Sequence, residues 1–106
     1  MPKFLFHGSY TAAGVAGVLK DGGSGRATAI DALAASLGGS IVSAWWALGA
    51  EDFYIVADLP DSKAAAALSL TTGASGAVNI STAEVFSAAD VDEIVARRAS
   101  YRAPGA

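Results

Sequence analysis

The chain reads as an α+β domain, a four-stranded antiparallel sheet carrying its helices on one face. Three observations predict it. Strand-like and helix-like segments alternate in the order β-α-β-β-α-β-α. The two long helical segments lie in crossovers between strands, which puts both on the same side of the sheet. The strand segments are apolar at odd and even positions alike, so both faces need cover while the helices suffice for one.

Lys3 to Thr11 (KFLFHGSYT) is rich in aromatics and predicts the first strand. Thr11 can cap a short helical stretch, Ala12 to Leu19, which Gly14 and Gly17 weaken by about 1 kcal/mol each relative to alanine. Asp21-Gly22-Gly23-Ser24-Gly25 predicts a flexible loop, too short to divide domains. A helix follows from Arg26, with Ile30, Leu33, Ala34 and Leu37 at helical spacing and Gly38 as its stop. Ser40 to Leu48 is the second strand. In it Ile41, Trp45 and Ala47 are expected to alternate with Val42, Ala44, Trp46 and Leu48, so the adjacent indoles point to opposite sides. Gly49-Ala50-Glu51-Asp52 makes a tight connection, and Phe53 to Leu59 returns as the third strand of a hairpin.

Pro60-Asp61 opens the next helix, with Asp61 as its cap, Ala64, Ala67 and Leu68 as its inner face, and Gly73 past its end. Ala77 to Phe86 is the fourth strand. Ser87 and Asp90 form a capping box (S-x-x-D) before a helix striped by Val91, Ile94 and Val95. Asp90, Asp92 and Glu93 at its start and Arg97, Arg98 and Arg102 at its end suit the helix dipole. Ala103 to Ala106 should fray. The order is that of a ferredoxin-like sandwich with an added carboxy-terminal helix.

At 106 residues the chain is expected to form one domain, residues 1–106. It has no cysteine, which removes disulfides, thiolate metal sites and cysteine nucleophiles together. The net charge of −3 argues against a nucleic-acid partner, since no basic face exists to neutralise phosphates. No run approaches 18 apolar residues, so no membrane span is expected. Met1-Pro2-Lys3-Phe4 lacks the start of a secretory signal, and a cytoplasmic location is the default expectation. Hydrophobic residues make up 53% and charged ones only 16%. A surface so poor in charge fits a protein that hides part of itself in an assembly. Two such sheets packed face to face, about 10 Å apart, solve the problem of the uncovered side. A homodimer, or a larger oligomer built from dimers, is therefore expected.

From the hairpin onward the chain resembles the GYD domain family of small bacterial proteins. The resemblance runs through Leu48-Gly49-Ala50-Glu51-Asp52, Val56 to Pro60-Asp61, and Gly73-Ala74-Ser75-Gly76-Ala77-Val78, with Tyr10-Thr11 and Gly14 at the first strand's end. The family's signature glycine and aspartate match Gly49 and Asp52, but its tyrosine position is Glu51 here. The resemblance implies a ferredoxin-like fold of the dimeric α/β-barrel type and leaves the activity undefined.

His7 is the only histidine, and the only side chain whose ordinary pKa lies near neutrality. It belongs to the set Leu5, His7, Ser9, less purely apolar than Phe4, Phe6, Gly8, and is expected to face away from the helices. The third strand offers Tyr54, Val56 and Asp58 as its more polar set, and the fourth offers Thr82 and Glu84. If these faces coincide, His7, Tyr54, Asp58 and Glu84 line one pocket with Trp45 as a wall. An imidazole beside a carboxylate in such a pocket is a workable general base. A lone strand histidine is more often simply hydrogen-bonded at an interface or edge, and a one-residue slip would send Asp58 or Glu84 to the other face. Asp52 in its turn more commonly bonds nearby backbone amides than a ligand. Tyr10 can border a pocket mouth, while Trp45 and Trp46 read as core and interface mass rather than a stacking platform.

Gly22, Gly23 and Gly25 do not make a phosphate loop, because no lysine followed by Ser or Thr closes them and G-x-G-x-x-G spacing is absent. One histidine and scattered carboxylates predict no metal, and no cofactor is implied. No G-x-S-x-G supports a serine triad. Two functions compete. One is a self-associating protein that binds a small apolar or aromatic molecule between its sheets. The other is a cofactor-independent oxygenase, isomerase or cyclase of the dimeric α/β-barrel class. In the second, His7 is the proton acceptor and Tyr54 or Asp58 orients it, on fold analogy.

Overall fold

The computed structural model describes residues Met1–Ala106. Its elements are β1 (Lys3–Tyr10), α1 (Ala12–Ser36), β2 (Ser40–Trp46), β3 (Phe53–Asp58), α2 (Ser62–Ala74), β4 (Val78–Val85) and α3 (Ala88–Ala96). The four strands form one antiparallel sheet in the order β2-β3-β1-β4, the ferredoxin-like arrangement expected from the sequence. Phe4 and Phe6 of β1 pair with Ala57 and Ile55 of β3, which places all four on the side of α1 and α2. Phe4, Phe6, Ala57 and Leu59 pack there against Ala65 and Leu68 of α2, with Leu33 and Leu37 of α1 alongside. The core is small: only nine of 106 residues are buried.

The segment Asp21 to Gly25, expected as a loop, is instead helical on both sides of a single break. At Gly22 the backbone takes φ 69° and ψ 176°, a region open essentially to glycine alone, and α1 resumes at once. Each arm has one buried residue, Gly14 and Ala34, and Leu33 of the second arm packs against the core. Thr11 caps α1, its Oγ accepting from Gly14 N at 3.3 Å and donating to Gly76 O at 2.6 Å, so the helix start is tied to the entry of β4. Gly14 must lack a side chain, since a Cβ there would sit 2.0 Å from Ala77 O. At the far end Gly38 (φ 80°) closes the helix as predicted, with Gly38 N donating to Ala35 O and Gly39 N to Ala34 O.

The second strand departs from strict alternation. Ile41 pairs with Ala57 and Ser43 with Val56, leaving Val42 as an unpaired bulge. Ile41 therefore faces the helices together with Ala44 and Trp46, and does not share a side with Trp45 as expected. The indoles do part company, Trp45 opposite Tyr54 and Trp46 opposite Phe53. The strand ends at Trp46, two residues earlier than predicted.

Asp61 caps α2, accepting from Ala64 N at 2.8 Å, but the helix runs through Gly73 to Ala74 and is ended by Gly76 (φ 76°). The Ser87–Asp90 capping box of α3 is complete, with bonds of 2.9 and 3.1 Å. The backbone and hydroxyl of Ser87 hold the Asp90 carboxyl below its usual pKa. Arg97 turns extended, so the three arginines lie beyond the last helical turn rather than within it. No residue of α3 is buried, and its stripe of Val91, Ile94 and Val95 is about half exposed. No helix is long and apolar enough to cross a membrane.

Candidate functional site

Strand pairing puts most of the expected constellation on the face away from the helices. His7 lies opposite Tyr54, Leu5 opposite Val56 and Lys3 opposite Asp58 across β1 and β3, and Trp45 lies opposite Tyr54 across β2. The His7 and Tyr54 rings stack with centroids 6.3 Å apart and planes 12° from parallel. The carboxylate on the imidazole is not Asp58. Glu51, from the β2–β3 connection, places Oε2 2.6 Å from His7 Nδ1. With Nδ1–H donated to Glu51, Nε2 keeps the lone pair and is the atom able to accept a proton. Asp58 is occupied elsewhere, its Oδ1 2.7 Å from Lys3 Nζ. Tyr54 is 41% and Trp45 68% exposed, so this face is open rather than enclosed.

Glu84 does not join them. It pairs with Phe4, whose ring lies beneath the helices, while the β4 residue opposite His7 is Ser81. The sheet separates Glu84 from His7 because side chains alternate and the β1–β4 register fixes the alternation. Glu84 lines a polar groove with Met1, Pro2, Phe86 and the first turns of α3. Thr82 likewise faces the helices, hydrogen-bonded to Ser69 of α2.

Asp52 has a backbone role. Its Oδ2 accepts from Tyr10 N at 2.9 Å, and its own N–H donates to Gly8 O at 2.7 Å. Ala47 N donates to Asp52 O at 2.9 Å. The aspartate thus clamps the β2–β3 connection to the end of β1. Gly49 provides the sharp turn within it at φ 143°. Glu51 owes its place beside His7 to this clamp. Sequence reasoning assigned Glu51 only to the turn, and the signal that finds it is the long-range pairing of β3 with β1.

A second concave feature lies on the helix side of the sheet, away from His7. Between the two arms of α1, α2 and the strands is an apolar cavity of about 450 Å³. Phe6, Tyr10, Trp46 and Phe53 form its aromatic wall, and Ile30 and Leu33 its helical roof. Tyr10 OH accepts from Trp46 Nε1 at 2.9 Å, which satisfies the indole N–H, and its ring tilts against Phe53 at 5.4 Å. Tyr10 borders this cavity, whereas His7, Tyr54, Asp58 and Trp45 do not line it.

No curated protein and no solved structure matches the chain. The family model of the GYD domain matches residues 4–95, which take in β2, β3, β4, α1 and α2 whole and all but one residue each of β1 and α3. The same span holds the Gly49 turn, the Asp52 clamp and the apolar cavity, and on that match the chain belongs to the GYD domain family.

Proposed function

We propose that the protein is a self-associating binder of small, largely apolar molecules, with the ligand seated between α1 and the sheet. The carrying observation is the cavity of about 450 Å³, which falls within the roughly 300–1,000 Å³ of small-molecule sites and has their mostly apolar lining. The expected position between two sheets gives way to this one, because the concavity lies on the helix side. Methyl-detected NMR tests it: Ile30, Leu33, Ile55 and Ile80 should shift saturably when a small aromatic such as naphthalene is added. Shifts confined to Val85 and Ile94, or none at all, would refute it.

Self-association rests on the sheet's other face. Leu5, Val56, Tyr54 and Trp45 are supplied with no cover by α3, and a second copy packed sheet to sheet provides it. Sedimentation equilibrium should report dimers or larger species, and Trp45→Glu should release single subunits.

A second reading is favoured by the short His7–Glu51 pair. Closed over by a partner copy, this pair becomes a desolvated general base suited to cofactor-independent proton abstraction, the isomerase, cyclase or oxygenase class. Under that reading His7→Gln abolishes turnover while assembly persists, and Glu51→Gln reduces it. A His7→Gln variant with full turnover removes the enzyme reading and leaves the binding one intact.

A further inference from the structure

The apolar cavity has two charged residues in its lining, Asp21 and Arg26, one on each side of the Gly22 break. They are not paired with each other. The only lysine or arginine paired with a carboxylate is Lys3, with Asp58, and no carboxylate lies within 4 Å of the Arg26 guanidinium. Their surroundings also differ: Asp21 is exposed, whereas Arg26 is half-buried. Asp21 therefore spends its charge on water. Arg26, a lining residue of an apolar cavity, carries a charged, five-donor fork that no side-chain acceptor of the protein receives.

Resting on the cavity reading above, we propose that the site takes amphipathic monocarboxylates, small aliphatic or aryl acids, whose tail lies under α1 and whose carboxylate meets Arg26. The planar guanidinium matches a carboxylate through two parallel hydrogen bonds, a geometry that a hydroxyl or an amine cannot reproduce. The aromatic wall of Phe6, Tyr10, Trp46 and Phe53 receives the tail. Asp21, across the break, disfavours a second negative charge on the ligand and so selects singly charged acids.

Decanoate, decanol and decylamine share a tail and differ in the head, and they separate the class of ligand from the existence of the site. Each is titrated into the full chain below its micelle-forming concentration, with Trp46 fluorescence and calorimetry as readouts. Decanoate should bind saturably and at least about tenfold more tightly than decanol. Arg26→Gln should erase that preference, Arg26→Lys should keep part of it, and Asp21→Asn should strengthen decanoate. Equal affinity for decanoate and decanol, or tighter binding of decylamine, would overturn the ligand class while the cavity reading stands. If none of the three binds, both fall together. Circular dichroism of each variant establishes that the fold is retained.

Discussion

Beneath α1 and α2 the sheet presents Phe4, Phe6, Phe53 and Ala57, each at most 3% exposed, whereas its other face presents Trp45 at 68% and Tyr54 at 41%. Both faces are built from the same strands and differ only in which alternate residue they receive. The helix face holds the fold together, and a cavity persists there because the glycine-broken α1, rich in small residues, does not fill the space above the strands. The open face holds the Lys3–Asp58 ion pair and the His7–Glu51 hydrogen bond among half-exposed rings. One side has stability with room left over, and the other has chemistry without a roof.

The contrast breaks most readily at Phe6. Phe6→Ala should cost about 3–5 kcal/mol in urea unfolding, as for other deletions of buried aromatic rings. Trp45→Ala, measured at concentrations low enough to keep subunits apart, should stay within about 0.5 kcal/mol. Equal losses would mean that the faces are not energetically distinct. At the hinge between the faces, Asp52→Ala strands the Tyr10 N–H and unclamps the connection that carries Glu51. A loss of about 1–3 kcal/mol is expected in urea unfolding. On the open face, Asp58→Asn removes only a partly exposed ion pair and should cost no more than about 1 kcal/mol, less still in high salt.

The smallest effect lies outside both faces. Asp90 is held below its ordinary pKa by the Ser87 cap, so the carboxylate stabilises α3 above the ordinary carboxylate range. That support is lost as pH falls through the lowered folded value. Acid titration followed by NMR should show the α3 amides changing while those of β1 and β3 do not. Movement of β1 with α3 would show that the last helix is coupled to the sheet.

What the sequence made legible was local. The Ser87–Asp90 box, the Asp61 cap, the Gly38 stop and the divergence of the two indoles each depend on residues within a turn or a strand of one another. The partner of His7 was not legible, because Glu51 reaches it only through the pairing of β3 with β1. Glu84 went to the wrong side for the same reason: its face depends on the β1–β4 register. The α1 break was hidden by composition, since a run of glycine and serine reads as loop whether or not a roof of apolar residues holds it helical.

Val42 has a consequence for how this fold tolerates changes in length. Three positions separate Ile41 from Ala44, an odd interval that would send them to opposite sides of an ordinary strand, and the unpaired residue makes the interval effectively even. Deleting Val42 should therefore leave every neighbouring side chain pointing as before, with a straighter edge and no exchange of inside for outside. The molecule carries a spare link there, and the loss of that one residue can be absorbed without inverting the strand.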